Sequence, residues 1–565
     1  MSSLANQIQA NGFAVVDGRT QRGQADRYLL EVRKGETLQM NALARKASED
    51  IVLKLGIADG EMIARSDDYI WSSSSRITWT ATRSETVEIV VKFDDTDHGK
   101  DGVAYDLYID DLSVDDEFDR PGEGDDAFAA DRDALTLASN LLKKFSGDNG
   151  ILEIGEMGDL ALSFVNKDGV VSADDFEVLQ GIGVKLEKFV DPGYRDYYQY
   201  IYNSAVGYNR ANQWWTGGES ERVALGSLQI GSSRRDFNKL VKKWLYGQDS
   251  PKTVIDGDAA QGINRVQMFK YGVANGPVFE GLPTYEQVSQ GTAGTCYFLA
   301  GLMDIANRHP DIFQGLFLDN GNGTYGVRFY GTDNQPVWVT VDPSSLPIDS
   351  RGGLAFSGSD SRSMFRDPLT NILWPGMLEK AYAQANEIGV FARADQTNSY
   401  RSIEYGDAAV FRYLGGEEFG FPYLGITARP NDSITGSEFV LFKNEDIVNR
   451  KMNDNDYSSI LAKSLRGAMP LDVQPSDELG RRYENGSAMM LLSLKAEKMP
   501  GKIRFVKGHA YAVVDYSLDS GMFKIANPWG QNDVGLSTFD LTSDELNSLV
   551  SGGGLIPVFS QYNVL

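Results

Sequence analysis

The sequence predicts a multidomain chain: an N-terminal all-β sandwich, then a small helical section, then an α+β portion filling the second half. Three observations carry this. The chain has 565 residues, several times the length of a typical domain. Residues 20–112 alternate apolar and polar between clusters of Gly, Ser and Asp. Beyond residue 127 apolar residues recur at helical spacing, first over Ala134–Phe145 and again after residue 296 beside strand-like runs.

In the first section the runs Tyr28–Val32, Ile51–Leu55, Ile77–Thr82, Val87–Phe93 and Val103–Ile109 read as strands, with a turn at Gly35. Their spacing is that of a sandwich. The stretches 28–40, 75–93 and 105–109 resemble the small pre-peptidase C-terminal β-sandwich that accompanies many bacterial secreted proteases. The expected boundary is residue 115. An acidic link with a helical section spans 116–190, and an aromatic-rich connector spans 191–254, carrying Tyr194, Tyr197, Tyr198, Tyr200, Tyr202, Tyr208, Trp214, Trp215 and Trp244. Arg234, Arg235, Lys239, Lys242 and Lys243 make a basic stripe on a helix predicted over Asp236–Tyr246.

Charge narrows the function classes. The formal net charge is −25, from 79 acids against 54 bases. Such a field repels a phosphate backbone, so a general nucleic-acid partner is not expected. The excess is concentrated: between Asp94 and Asp133, sixteen acids face three bases. The one cysteine, Cys296, forbids an intramolecular disulfide and a multi-cysteine zinc site. The three histidines are His98, His309 and His509. No apolar run is long enough to span a bilayer. The start, Met1–Asp17, lacks the basic and apolar regions of a secretory signal. Two locations stay open: outside the cell by a route that reads another signal, or the cytoplasm.

Two stretches of the helical section look alike, 145–156 and 164–175. Each has a Gly (Gly150, Gly169) at the sixth position, an apolar residue at the eighth and an acid at the twelfth, as an EF-hand-like calcium loop requires. As calcium loops they would draw on Asn149, Glu153 and Glu156, and on Asn166, Asp168 and Asp175. Position one is Phe in both, and the glycines are only 19 residues apart. Those departures favour the other reading, two helix–turn–helix connections with solvated acids.

The chemistry concentrates around Cys296, in Gln290-Gly-Thr-Ala-Gly-Thr-Cys296. Phe298, Leu299, Leu302 and Ile305 fall on one helical face, with Thr295 as an expected cap and His309-Pro310 as the stop. Cys296 would then occupy the first turn, where free amides and the helix dipole favour an anion. There a thiol beside a histidine is expected below its free value of about 8.5. Gly291 and Gly294 let the backbone approach a substrate, and the Gln290 amide would join the Cys296 N–H as a two-donor oxyanion hole. A buried, inert cysteine is the competing reading. His509 lies in a predicted strand, 506–515, followed by Gly-marked turn 519–521 and the strand Met522–Ala526. A hairpin there puts Asn527 opposite Val513, on the strand that carries His509, where an Asn can orient the imidazole. Trp529 would shield that bond, and Gly294 and Gly508 would flank the substrate. His98 and His309 read as structural or surface residues.

These residues resemble the calpain family of papain-like cysteine proteases. Trp338-Val-Thr-Val-Asp342 with Leu346-Pro347, Leu373-Trp374 with Leu378–Ala383, Gly508–Tyr511 and Asn527–Gly530 resemble that family's motifs in order, and 225–251 looks like the leader of bacterial members. The resemblance covers 225–565. It implies a papain-like two-lobe core, with lobe one at 255–416 and lobe two at 417–565. It makes Cys296 the nucleophile, His509 the base, Asn527 the orienting residue and Gln290 the oxyanion donor of a cysteine endopeptidase acting on protein or peptide substrates. Thr295 and Tyr297 stand where Asp and Trp are usual, and Tyr at that place is common in bacterial members. Glu379 and Asp533 match calcium carboxylates of the family, while Gln287 replaces an acidic ligand. No cofactor is required for the chemistry, and Ca2+ is an expected activator at most. Self-processing within the N-terminal half is a further expectation, and Gly352–Ser363 looks like a mobile gating loop. The alternatives are a calcium-independent papain-type protease and a binding protein that keeps the fold. Oligomeric state is not legible.

Overall fold

The computed structural model describes residues 13–20, 24–44, 51–58, 62–67, 74–93, 103–111, 129–163, 169–254, 268–274, 276–349, 352–358, 372–406, 409–416, 418–421, 426–428, 474–494, 497–498, 504–529 and 538–562. The described chain divides into two units, Met1–Trp215 with Val223–Tyr246, and Thr216–Arg222 with Gly247–Leu565.

Alternation sets the first part of unit one. Eight strands form: β1 (Phe13–Thr20), β2 (Ala25–Val32), β3 (Thr37–Ala44), β4 (Ile51–Ile57), β5 (Met62–Asp67), β6 (Ser74–Thr80), β7 (Glu85–Phe93) and β8 (Val103–Asp111). They make two antiparallel four-stranded sheets, ordered β1-β8-β3-β6 and β2-β7-β4-β5. Every second residue points inward, so Leu38, Met40 and Ala42 of one sheet share a core with Val87, Ile89 and Val91 of the other. This is the sandwich the alternation predicts. Strands β1, β3 and β5 go beyond the runs singled out in the sequence. Gly18 is paired with Tyr105, and a Cβ on it would sit 2.2 Å from the Tyr105 ring, so only glycine fits. The Tyr105 hydroxyl donates to Asp26 at 2.7 Å, and the Tyr28 hydroxyl lies 2.7 Å from it.

The helical section holds α1 (Ala129–Phe145), α2 (Ile154–Ser163), α3 (Ala173–Lys185), α4 (Arg195–Val206) and α5 (Arg234–Trp244). Helix α1 packs on α3, α3 on α4, and α2 and α4 on α5. The aromatic residues explain this. Tyr197, Tyr198, Tyr200, Tyr202 and Trp244 are buried, and Tyr200 meets Trp244 with ring centres 6.1 Å apart. Residues expected as a connector therefore belong to the core of the helical section. Two short strands, β9 (Trp214–Trp215) and β10 (Val223–Ala224), pair beside it. The basic stripe is not wholly a solvated face: Lys243 is buried and donates to the carbonyls of Ala211 (2.5 Å) and Trp214 (3.0 Å). The acidic stretch 112–128 and His98 lie outside the described residues.

In unit two β11 (Lys270–Gly272) pairs with β15 (Leu346–Ile348), and β12 (Phe317–Asp319), β13 (Tyr325–Tyr330) and β14 (Pro336–Val341) form a three-stranded sheet. Helices α6 (Cys296–Arg308), α7 (Pro310–Leu316) and α8 (Trp374–Asn386) lie among them. The remaining strands are β16 (Glu418–Phe421), β17 (Ile426–Ala428), β18 (Ala488–Ser493), β19 (Glu497–Lys498), β20 (Arg504–Phe505), β21 (His509–Ser517), β22 (Met522–Ala526), β23 (Thr538–Thr542) and β24 (Leu555–Gln561). Seven of these make one antiparallel sheet, β17-β16-β24-β18-β21-β22-β23. Helix α6 lies on β18 and β21 of that sheet. Its expected single apolar face is an underestimate, because Tyr297 through Ala306 are all buried.

Candidate active site

Cys296 opens helix α6, as the local pattern predicts, and its side chain is partly exposed. Thr295 is the residue before the helix, but its hydroxyl makes no cap. It donates instead to the Glu379 carboxylate on α8, whose second oxygen accepts the Ser357 N–H at 2.7 Å. The first-turn amides of α6 are thus not consumed by a side-chain cap. The loop ahead of Cys296 is braced by main-chain hydrogen bonds. Ser289 and Gly358 exchange hydrogen bonds at 2.8 and 3.0 Å, and the Thr292 N–H donates to the Ala355 carbonyl at 3.1 Å. A Cβ on Gly291 would lie 1.9 Å from the Phe356 carbonyl oxygen, which makes this glycine obligatory. Residues 352–358, expected as part of a mobile gate, are therefore tied to the loop ahead of Cys296; 359–363 lie outside the described residues.

Gln290 is buried, its N–H donates to the Pro528 carbonyl at 2.6 Å, and its side-chain amide donates to the Ala293 carbonyl at 2.6 Å. Here it closes the turn that leads to Cys296. Among the described residues its side-chain oxygen is buried without a hydrogen-bond partner.

His509 begins β21, preceded by Gly508 with φ of 72°, a left-handed position that favours glycine. The His509 Nε2 lies 2.8 Å from the Asn527 Oδ1, which also accepts the Trp529 N–H at 3.1 Å. Trp529 lies with its ring centre 4.4 Å from that of His509. The hairpin register differs from the expected one. Ser517 pairs with Met522, but a bulge between Val513 and Asp515 shifts the ladder, so that Ala512 pairs with Ala526. Carried one residue further, this register puts Asn527 opposite Tyr511 rather than Val513. That is the face of His509, since residues two apart on a strand share a face.

The same bulge is gripped by helix α6. Asn307 donates to the Val514 carbonyl at 2.6 Å, and the Val513 N–H donates to Asp304 at 3.0 Å. Helix α6 packs along β21, and the Ala510 main chain lies close enough to the Cys296 thiol to pull its pKa down. The expectation of a depressed thiol is not met in this state. Burial pushes the Cys296 thiol up, against the pull of hydrogen bonds from the main chain of Ala510, Tyr297 and Cys296. His309 is structural: its Nε2 lies 2.7 Å from the Gly486 carbonyl, and burial lowers its pKa.

Several residues of the surroundings carried no motif. Tyr297 donates through its hydroxyl to the Ile403 carbonyl at 2.8 Å. Arg393 donates to the carbonyls of Ser402 (2.8 Å) and Glu404. Glu404 accepts the Gly294 N–H at 2.8 Å, and the Tyr405 N–H donates to the Gly294 carbonyl at 2.9 Å. Only the Tyr at 297 gave a signal in the sequence, as a departure from the expected Trp.

The calcium candidates are differently placed. Both Glu379 oxygens accept hydrogen bonds from protein donors, so its surroundings do not fit a metal ion. Gln287 accepts from the Trp374 indole at 2.8 Å and the Thr284 N–H at 3.2 Å. In the helical section Gly150 and Gly169 take φ of 68° and 80°, the sharp turns predicted. The acid and amide side chains serve local structure: Glu156 accepts the Glu153 N–H at 2.9 Å, Asp175 accepts the Ser172 N–H at 3.0 Å, and the Asn149 amide oxygen accepts the Ile151 N–H at 3.0 Å. The eighth-position residues bond elsewhere, Leu152 to the Phe189 carbonyl at 2.6 Å and Val171 to the Ser232 carbonyl at 2.9 Å. Among the described residues no group of three His, Cys, Asp or Glu is placed to hold a metal ion. Asn166, Asp168 and Asp533 lie outside them. No described helix is long and apolar enough to cross a membrane.

Residues 274–404 match the model of the calpain family of cysteine proteases. This part of the chain is similar to a cysteine protease domain of that family. It spans well under half of the sequence and includes Cys296 and Gln290 but neither His509 nor Asn527. No curated protein matches the chain. Among solved structures, the pre-peptidase C-terminal domain of a Bacillus anthracis collagenase is similar at 12% identity, covering 17% of this chain and 87% of that one with a TM-score of 0.15. PliG of Aeromonas hydrophila, a periplasmic inhibitor of g-type lysozyme, is similar at 14% identity, covering 18% and 88% with a TM-score of 0.15. The Yersinia pseudotuberculosis-derived mitogen is similar at 13% identity, covering 20% and 97% with a TM-score of 0.15.

Proposed function

We propose that the chain is a cysteine endopeptidase with Cys296 as nucleophile, His509 as base and Asn527 as orienting group. The observation that carries this is the 2.8 Å bond between His509 Nε2 and Asn527 Oδ1, on the strand whose Ala510 main chain meets the Cys296 thiol. An amide oxygen only accepts, so Nε2 holds the imidazole proton and Nδ1 is the basic atom. Nδ1 takes the proton from Sγ, and the imidazolium so formed counters the burial that otherwise holds the thiol neutral.

The thiolate attacks the carbonyl carbon of an extended peptide, and the resulting oxyanion accepts the Cys296 N–H. Gln290 Nε2 carries a second N–H besides the one given to Ala293, which is its route to the same oxygen. As the C–N bond breaks, His509 returns its proton to the leaving amine and a thioester remains. Water then attacks, His509 takes a proton from it, and the acid and free thiol are released.

Casein digestion by the full chain, compared with Cys296→Ser, tests the reading. Loss of cleavage in the variant is expected, and cleavage at an unchanged rate would end it. Repeating the assay with calcium and with chelator, and sequencing the N-termini of any fragments, tests calcium activation and self-processing.

A further inference from the structure

Tyr405 holds a main-chain conformation that a large residue rarely adopts. Its φ is 55°, in the left-handed region, where a side chain crowds its own backbone. Asn334 is the other described non-glycine residue there, and Asn tolerates the region. The strain at Tyr405 is imposed by its neighbours. Tyr297 and Arg393 hold the carbonyls of Ile403, Ser402 and Glu404, while the Glu404 carboxylate and the Tyr405 N–H clasp both main-chain groups of Gly294. Three side chains and one loop thus fix a segment whose end is this tyrosine.

A strained residue that its surroundings over-determine marks a place where the side chain is needed. Here the ring is presented to solvent: Tyr405 is 72% exposed, the most exposed large side chain among the described apolar and aromatic residues. It lies against Gly294, two residues before the nucleophile, where a Cβ would come within 3.1 Å of the ring. Glycine at 294 is what allows the ring that position.

We propose that Tyr405 is a specificity-determining residue: its ring is the wall on which a large apolar or aromatic substrate side chain next to the scissile bond packs. This rests on the protease reading above. An exposed ring against Gly294, two residues before Cys296, offers apolar area and a π-face, and both reward large side chains over small ones. Its main-chain anchoring means that little freedom is lost when the substrate settles on it.

The test uses the full chain and fluorogenic peptides that carry either a large apolar residue or alanine next to the cleaved bond. Tyr405→Gly removes the ring and also relieves the left-handed strain, so the variant is expected to melt no lower than the parent. We expect kcat/KM on the large-residue peptides to fall about three- to ten-fold, mostly through KM, in keeping with one aromatic contact. The alanine peptides and the rate of Cys296 alkylation by iodoacetamide should stay within about two-fold. Tyr405→Phe should keep the parent's selectivity. A Tyr405→Gly protein that loses rate equally on both peptide sets, or on neither, overturns the assignment while leaving the protease reading intact. A parent chain that cleaves none of the peptides overturns both.

Discussion

Removing the Glu379 carboxylate tests the brace behind Cys296. The group is buried and accepts the Thr295 hydroxyl and the Ser357 N–H. In Glu379→Ala both donors lose their acceptor where water does not reach, at about 1–3 kcal/mol each. The space left behind adds about 1–2 kcal/mol, while removal of a carboxyl that burial already penalises offsets part of the sum. A loss of about 3–6 kcal/mol results. Glu379→Gln keeps the shape. Its oxygen can face the Ser357 N–H, and the Thr295 hydroxyl can turn to accept from its nitrogen, so the loss should be about 1 kcal/mol.

Burial also raises the Glu379 pKa above the ordinary carboxylate range. A carboxyl with a folded pKa above its unfolded one favours the native state most at low pH. That contribution is lost as pH rises through the interval between the two values. Glu379→Gln should flatten the stability profile there. Urea unfolding at several pH values measures all of this, provided the m-values of the three proteins agree. Alanine and glutamine variants of equal stability, or a calcium-dependent rise in parent stability that Glu379→Gln abolishes, would refute the brace.

Gly291→Ala should destabilise unit two by at least about 2 kcal/mol and slow Cys296 alkylation, because the new methyl meets the Phe356 and Ala355 carbonyls at 1.9 and 2.5 Å; a thermal melt of parent and variant checks it. Alkylation of Cys296 against pH reports its ionisation: with His509 replaced by Ala, burial should leave a single rise centred above the ordinary thiol value, whereas the parent should already react at neutral pH through its ion pair. Identical profiles would count against His509 as the base. Deleting Val514 removes the bulge and should abolish peptide cleavage while circular dichroism retains the β signal; retained cleavage would show that the register does not matter.

Much of this architecture was legible because it is local. Alternation placed β2, β4, β7 and β8 within a few residues, since one inward-facing residue in two is what a sandwich face needs. The start of α6 at Cys296, the hairpin strand Met522–Ala526 and the stop at His309-Pro310 follow from side-chain periodicity and from proline. The aromatic stretch misled because composition names apolar residues without naming their partners. Tyr197 through Tyr202 close the helical section itself. Glu404 gave no signal because its role depends on a loop about a hundred residues away, and Arg393 gave none because its partners are main-chain carbonyls that carry no side-chain pattern.

The meeting of His509 and Asn527 shows where local reasoning stops. Counting residues across the 519–521 turn gives an even offset, which puts Asn527 on the face of His509. The turn that forms instead pairs Ser517 with Met522, an odd sum, which taken alone would send Asn527 to the opposite face. One extra residue at Val514 restores the parity. The carbonyl freed by that bulge is then taken up by Asn307, from the helix that Cys296 begins, and by the Tyr483 hydroxyl at 2.9 Å. A single irregularity therefore turns Asn527 toward the imidazole and fastens the helix that Cys296 begins to the strand that carries His509. No pattern in the residues 506–527 announces it, because its stabilisation comes from Asn307 and Tyr483, which lie far away in the chain.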